Sequence, residues 1–153
     1  MSSSTRRAIP RFDTPIVETH CHLDYLGDEA LESALHAAED VGIERIVTIA
    51  VSAENLDTVR RIATDHAQVW CTQGIHPHEA DSWSDGLSKR ITENCSSTKV
   101  VAIGETGMDF YRMPGPKPDG TPADAEDYKR RQAALFRQQL EVAAESGLNC
   151  VIH

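Results

Sequence analysis

Short apolar runs rich in β-branched residues alternate along this chain with longer segments of helical periodicity. The predicted strands are residues 16–20, 45–51, 69–74, 100–104 and 149–153. Such alternation is typical of strand–helix–strand units that build a parallel sheet with helices packed on it. Five strands and four helices amount to about the first half of an eight-stranded (β/α) barrel of the TIM type, which usually needs about 250 residues. The predicted fold class is therefore α/β, a TIM-type half barrel.

Helix start and stop signals predict four helices between these strands. The first helix is expected between an N-cap at Asp28 and a stop at Gly42, and the second is expected to begin at Ser52. A weaker third helix is marked by Trp83, Leu87 and Ile91. The fourth, from about Ala125 to Ser146, has one apolar face predicted to contain Leu135, Phe136, Leu140 and Ala143.

Two segments are expected to lack regular structure. Residues 1–13 are rich in Ser, Thr and Arg and predict a flexible tail, so that the ordered half barrel comprises residues 14–153. Residues 113–124 carry four prolines and two glycines and predict a loop on the active-site side. The open edges of a half barrel further predict self-association or completion by another chain.

Charge and cysteine content narrow the function classes. The formal net charge of −9 gives no broad basic surface for a polyanion, so contact with nucleic acid has to be local or metal-mediated. The four cysteines are far apart and form no CxxC pair, which favours reduced thiols. Since no apolar stretch approaches the ~20 residues of a membrane span and no secretory signal is evident, we expect no membrane contact and a cytoplasmic location.

His20 and His22 stand at the carboxyl end of the first predicted strand. Side chains two residues apart on a strand point the same way, so the two imidazoles converge. Two neutral nitrogen donors suit Zn, Mn or a similar ion, and barrel active sites lie at this end of the strands. An isolated HxH triplet also arises by chance, but its position after a β-run favours metal ligation.

Three further strand ends carry similar side chains. His76 and His78 flank Pro77 after the third strand, and we expect them to contact substrate or to support the ligands rather than to bind metal. Glu105 ends the fourth strand in an apolar context, where an unpaired carboxylate costs several kcal/mol unless a cation neutralises it. His153 ends the fifth. Nitrogen and oxygen donors gathered on one rim predict metal-assisted hydrolysis.

Four motifs carry a resemblance to a known family. ETHCHLDYL, GIHPH, AIGETGMDFYR and QAALFRQQLEVAAESGLNCVIH occur in family order across residues 15–153. With them the chain resembles the TatD family of deoxyribonuclease-like hydrolases, within the amidohydrolase-type barrels. The resemblance implies a nuclease that hydrolyses phosphodiester bonds in DNA through a metal-activated water, with two divalent metal ions (Mg, Mn or Zn) as cofactors.

Carried over position by position, the resemblance assigns roles to individual residues. His20 and His22 are expected to bind one metal, His153 the other, and Glu105 to bridge both as the catalytic carboxylate. We expect the contacts to substrate DNA to come from a set beside these ligands: His76, His78, Asp109 and Arg112. Lys117 is a further candidate for contacting phosphate. For Arg112 and Lys117 alike, a solvated surface role is an equally good interpretation.

The chain also departs from the family pattern. Glu18 stands where the family usually has Asp, and the loop at residues 113–124 is longer than usual. The family places another His ligand and a water-activating Asp on later strands, which this chain lacks. Two alternatives therefore stay open: a metal-dependent amidohydrolase or esterase acting on a small molecule, and a non-catalytic fragment that another chain completes.

Overall fold

The fold alternates strands and helices in the order that the sequence predicts. A computed structural model describes residues 9–113 and 124–153. Within these residues the strands are β1 Ile16–Cys21, β2 Ile43–Thr48, β3 Val69–Gln73, β4 Val100–Thr106 and β5 Asn149–Ile152. The helices are α1 Asp28–Asp40, α2 Leu56–Asp65, α3 Asp85–Asn94 and α4 Ala125–Ser146, with short 3₁₀ segments at Leu23–Tyr25 and Pro77–Ser82.

All the described strands form one parallel sheet in the order β1-β2-β3-β4-β5. The sheet curls strongly. His20 Nε2 on β1 lies 3.4 Å from Glu105 Oε2 on β4, although β2 and β3 stand between these strands in the hydrogen-bonded order. Curling of this kind brings the carboxyl ends of the strands toward a common centre. The predicted TIM-type half barrel is confirmed.

The core lies between the sheet and the helices. Strands β3 and β4 are buried along nearly their whole length, as expected for parallel strands covered on both faces. The helices contribute apolar residues at helical spacing: Leu31 and Leu35 from α1, Leu56, Val59, Ile62 and Ala63 from α2, Leu87 and Ile91 from α3. Burial of this apolar layer supplies the main favourable free energy of folding.

The helix starts differ from the predictions at two positions. Gly27, not Asp28, is the N-cap of α1, and Asp28 is the first helical residue. Helix α2 begins at Leu56, so Ser52 does not cap it. The Asn55 side chain instead accepts hydrogen bonds from the main-chain N–H groups of Val51 and Ser52. Residues 51–55 therefore form a tight turn, and the helix begins only after it.

Helix α4 has the predicted bounds, but its buried face is different. It starts after Asp124, whose side chain accepts from the Asp127 N–H, and ends at Gly147, which has a left-handed φ of 66°. Leu140 is 40% exposed, contrary to the prediction. The buried face is centred elsewhere, on Tyr128, Gln132, Leu135, Gln139, Val142 and Ala143. Leu140 follows Gln139 by one residue, which turns it about 100° away from this face.

Parts of the predicted irregular segments are described. Phe12 N–H donates a hydrogen bond of 2.9 Å to Val41 O, so residue 12 contacts the body of the fold. Residues 1–8, Lys117 and the rest of 114–123 lie outside the described residues. All four cysteines carry free thiols. No helix in the described part of the chain has the length and apolar character needed to cross a membrane.

Candidate metal centre

The predicted metal ligands and His76 lie at the carboxyl ends of the strands, as side chains of β1 and β4 or just beyond β1, β3 and β5. His20 and Glu105 belong to β1 and β4, whereas His22, His76 and His153 follow β1, β3 and β5. Main-chain hydrogen bonds extend the sheet contacts into this rim. His153 N–H donates to Thr106 O at 2.7 Å, and His76 N–H donates to Val51 O at 2.8 Å. These main-chain hydrogen bonds therefore fix the backbone positions from which the His76 and His153 side chains project.

Two glycines allow the strands to approach closely beneath the site. A Cβ at Gly74 would lie 2.6 Å from the Gly104 nitrogen, and a Cβ at Gly104 would lie 2.6 Å from the Val151 carbonyl oxygen. Gly104 also has a φ of 154°, in a region that residues with side chains rarely adopt. Glycine is therefore required at both positions for β3, β4 and β5 to meet below Glu105.

The Glu105 carboxylate is buried between two imidazoles. It is only 6% exposed. Its Oε1 lies 2.5 Å from His153 Nδ1, and its Oε2 lies 3.4 Å from His20 Nε2. Each oxygen thus faces a different histidine, on opposite sides of the same carboxyl group. A carboxylate in this arrangement can bridge two cations, which would also offset the cost of burying its charge.

Three groups of side chains bring potential ligand atoms within 4.8 Å of one another. They are His20–His22–Glu105, His76–Glu105–His153 and His76–His78–Asp109. His76 belongs to two of these groups, but its Nδ1 already accepts a 3.1 Å hydrogen bond from the His78 main-chain N–H. In the neutral imidazole the proton then lies on Nε2, so that nitrogen is a donor and has no free electron pair. His76 is therefore a poor ligand in this conformation.

His22 fits a metal-ligand role. Its Nδ1 is buried and has no hydrogen-bond partner among the described residues. A buried polar nitrogen left unpaired costs about 1–3 kcal/mol, a cost that a coordinated cation would remove. The His22 ring also stacks on Tyr25, with ring centroids 5.2 Å apart and an interplanar angle of 17°. Both the ligand chemistry and the orphaned nitrogen suit a divalent metal.

His78 and Asp109 form a second polar pair beside this centre. His78 Nε2 lies 2.7 Å from Asp109 Oδ2, and His153 Nε2 lies 3.5 Å from the same oxygen. The other oxygen, Oδ1, accepts a 2.8 Å hydrogen bond from the Tyr111 N–H. This main-chain hydrogen bond, followed by the nearby histidines, holds the pKa of Asp109 below its usual value. Asp109 is therefore a carboxylate at neutral pH.

The His76 imidazole is neutral at physiological pH. Burial, and next the neighbouring His153, lower the pKa of His76 from 6.5 to about 4. The Nε2 atom lies 3.2 Å from His153 Nδ1 and borders the same cleft as Glu105. A neutral ring with its proton on Nε2 offers one hydrogen-bond donor to this cleft.

Arg112 borders a second cleft, which adjoins the centre. This cleft is lined by His76, His78, Asp109, Tyr111, Arg112 and His153. Arg112 is exposed, so its guanidinium can reach a ligand that occupies the cleft. His76, His78, Asp109 and Arg112, which are predicted to contact substrate, therefore all lie around this one cavity.

Two buried glutamines of α4 support the rim, and neither is among the predicted site residues. Gln139 accepts from Ile75 N–H and donates to Ile75 O, and it also donates to Thr106 Oγ1. Gln132 brackets Asp109 in the same way, with one bond to its N–H and one to its carbonyl oxygen. The available signal was their spacing of seven residues on the otherwise apolar face of α4.

Comparisons with known proteins identify the family of this chain. The family model described as TatD related DNase matches residues 17–153. The chain is 32% identical over 142 residues to the 3′-5′ ssDNA/RNA exonuclease TatD of Cronobacter turicensis, covering 93% of this chain and 48% of that protein. It is 31% identical to the uncharacterized metal-dependent hydrolase TatD of Mycobacterium tuberculosis, covering 90% of this chain and 51% of that one.

A solved structure gives the same result. The crystal structure of YjjV, a TatD homolog from Escherichia coli K12, superposes with a TM-score of 0.72 at 28% identity, covering 90% of this chain and 49% of that one. The chain spans about half the length of the curated relatives it matches. The model match, the sequence identities and the half-barrel fold together show that this chain belongs to the TatD related DNase family.

Proposed function

We propose that this chain supplies part of the two-metal centre of a hydrolase that cleaves phosphodiester bonds in nucleic acid, DNA in particular. The observation that carries the proposal is the buried Glu105 carboxylate, which faces His20 with one oxygen and His153 with the other. Two ligand groups that share one carboxylate suit a pair of divalent ions better than a single ion. The cytoplasmic location and an association along the free edges of β1 and β5 stay predictions.

Within this proposal, His20, His22 and Glu105 would hold one cation, and Glu105 with His153 would hold the other. The donors are imidazole nitrogens and carboxylate oxygens, which suit Mn and Zn, and through the carboxylate Mg. When bound, such ions supply Lewis acidity toward a phosphoryl oxygen and lower the pKa of water. The orphaned Nδ1 of His22 supports this assignment from the protein side.

The remaining residues position the substrate. His76 Nε2 lies 3.2 Å from His153 Nδ1 at the border of the cleft that Glu105 also lines, and its N–H could donate there to a non-bridging phosphoryl oxygen. Arg112 contributes a guanidinium that can form paired hydrogen bonds with phosphate. Asp109 keeps its negative charge and orients His78 beside this position. These contacts are local, as the net charge of −9 requires.

The choice of nucleic acid as substrate rests on the family. The relative from Cronobacter turicensis is named a 3′-5′ ssDNA/RNA exonuclease. Related barrels reuse one metal centre for different leaving groups, so a small ester, amide or lactone is the competing substrate class. The acidic charge of the chain favours this second candidate, because an acidic surface repels a polyanion at long range.

Hydrolysis assays distinguish these functions, and they use the metal-loaded protein extended to the full length of its relatives, because this chain supplies only part of the proposed centre. Single-stranded DNA, duplex DNA, a lactone and an aryl ester are incubated with Mg²⁺, Mn²⁺ or Zn²⁺, and products are quantified by chromatography. We expect metal-dependent release of nucleotides that chelation and Glu105→Gln both abolish. The matched control is Glu44→Gln, which neutralises an exposed carboxylate at the opposite end of β2.

Each other outcome contradicts the proposal in a different way. Intact DNA with hydrolysis of the lactone or ester would establish the small-molecule hydrolase instead. A chain that binds no metal and cleaves none of the substrates would establish a non-catalytic role. Activity that persists in Glu105→Gln would mean that the carboxylate is not the bridging ligand.

A further inference from the structure

Two exposed tyrosines flank the metal centre, and the proposed function gives neither a role. Tyr25 is 71% exposed and follows β1, while Tyr111 is 93% exposed and follows β4. These strands face each other across the site, where His20 and Glu105 are 3.4 Å apart. An exposed aromatic ring adds no hydrophobic stabilisation to the fold, so stability alone does not explain why tyrosine stands at either position.

The Tyr25 ring is held in a definite orientation. It lies nearly parallel to the His22 ring, at 17° with centroids 5.2 Å apart. One ring face is therefore occupied by an imidazole of the metal centre, and the high exposure leaves the other face open to solvent. The ring also lines the cleft that contains His20, His22 and Glu105. A flat group that enters this cleft can stack on the open face.

Tyr111 lies on the opposite flank. Its main-chain N–H donates to Asp109 Oδ1 at 2.8 Å, which fixes the backbone beside the centre and leaves the side chain exposed. The ring lines the cleft shared with His153 and Arg112. The preceding aromatic residue, Phe110, differs because the Lys129 ammonium lies 5.5 Å from its ring centroid. Tyr111 is thus the aromatic residue of this loop that is available to a ligand.

We propose that Tyr25 and Tyr111 are stacking surfaces for two nucleobases of a single-stranded nucleic acid, one on each side of the phosphodiester bound at the metal centre. This inference rests on the proposed function. Single strands have open base faces, whereas the bases of a duplex are already stacked and paired. The acidic chain offers few phosphate contacts, so affinity has to come largely from stacking.

Oligonucleotides with and without bases test this role. A fluorescein-labelled thymidine hexamer and a hexamer of abasic sites, both with phosphorothioate linkages to slow cleavage, are titrated with the Mn²⁺-loaded chain and followed by anisotropy. We expect the thymidine hexamer to bind at least roughly tenfold more tightly, given the size of base–aromatic stacking. Tyr25→Ala and Tyr111→Ala should each weaken its binding by about five- to tenfold and leave abasic binding unchanged.

The matched variants Tyr25→Phe and Tyr111→Phe retain the rings and remove only the hydroxyl groups. They should bind the thymidine hexamer within about twofold of the parent chain, because stacking needs the ring alone. Circular dichroism and Mn²⁺ titration of all four variants identify any that misfold. If a Phe variant loses as much affinity as its Ala counterpart, the hydroxyl group and not the ring makes the contact, and the stacking role is wrong.

Failure of this inference is distinguishable from failure of the proposed function. Equal binding of the thymidine and abasic hexamers, with metal-dependent cleavage of ordinary single-stranded DNA intact, would overturn the stacking role alone. Preference for duplex over single-stranded DNA would overturn it as well. If the metal-loaded chain neither binds nor cleaves nucleic acid, both proposals are wrong.

Discussion

The main-chain N–H of His78 donates a 3.1 Å hydrogen bond to Nδ1 of His76. Pro77 lies between the two residues at the start of a 3₁₀ segment, and this turn carries the His78 amide back toward the His76 ring. A backbone amide can only donate, so Nδ1 must accept, and the ring proton of neutral His76 is on Nε2. The GIHPH motif thereby sets the tautomer of its own first histidine.

This relationship predicts the proton position of His76 before and after metal binding. Long-range ¹H–¹⁵N spectra of the histidine rings at pH 7.5 should show His76 protonated at Nε2. Zn²⁺ should shift the ring nitrogens of His20, His22 and His153 and leave the His76 tautomer unchanged. A His76→Phe spectrum assigns the signal. A zinc-bound Nε2 on His76 would contradict the donor role.

Replacing Glu105 should have opposite effects on metal affinity and on the stability of the metal-free chain. Glu105→Gln removes the charge that both proposed cations share, so we expect metal affinity to fall by at least roughly 100-fold. The metal-free variant should be as stable as the parent or more stable, because a buried charge without a cation is costly. Calorimetric titration and urea unfolding measure the two effects.

The control for this experiment is Glu44→Gln, which changes an exposed carboxylate in β2. It should leave both metal affinity and stability close to those of the parent chain. Strong destabilisation of metal-free Glu105→Gln would instead mean that its ion pairs with His20 and His153 hold the rim together without metal.

The strand ends were predictable from sequence because their signals are local. Parallel strands buried on both faces are short apolar runs, and their carboxyl ends meet on one rim whatever the connecting helices do. The sequence therefore predicts that His20, Glu105 and His153 lie together. Their contacts at 3.4 and 2.5 Å, across strands far apart in the chain, agree with that prediction.

Contacts between distant segments could not be predicted. Gln139 lies 64 residues from Ile75, and no local pattern shows that a helical glutamine pairs with that peptide group. The predicted start of α2 at Ser52 is wrong for a related reason. Ser and Asn are equally good N-cap residues by type, and the sequence does not show that the Asn55 side chain forms a turn with residues 51 and 52. Leu140 is exposed and Gln139 is buried, whereas apolar spacing alone predicts the reverse.

Gln139 should be essential for stability, although its side chain is polar. Gln139→Leu leaves the Ile75 N–H and carbonyl groups and the Thr106 hydroxyl without this partner in a buried place. Unpaired buried groups of this kind cost about 1–3 kcal/mol each, so the loss of three partners should lower the free energy of unfolding by at least about 3 kcal/mol. The neighbouring exposed Gln138 provides the control, since Gln138→Leu should change it by less than about 0.5 kcal/mol. Urea unfolding of both variants checks the difference, and equal effects would contradict the role of Gln139.

The lowered pKa of His76 predicts how stability depends on pH in the metal-free chain. The folded protein keeps His76 neutral down to about pH 4, because burial and the nearby His153 oppose its protonation, whereas the unfolded chain protonates it near pH 6.5. Between these values the unfolded state binds more protons, so stability is highest above pH 6.5 and is lost as the pH falls toward 4. This one group contributes a slope of at most about 1.4 kcal/mol per pH unit.

His76→Asn should flatten the slope in that window, whereas His36→Asn, which changes an exposed histidine on α1, should not. Asp109 acts at lower pH, since its lowered pKa makes stability fall only as that carboxylate protonates. Urea unfolding at half-unit steps from pH 4 to 8 gives the slopes, and identical slopes in the parent and His76→Asn would show that His76 is not held neutral by the fold.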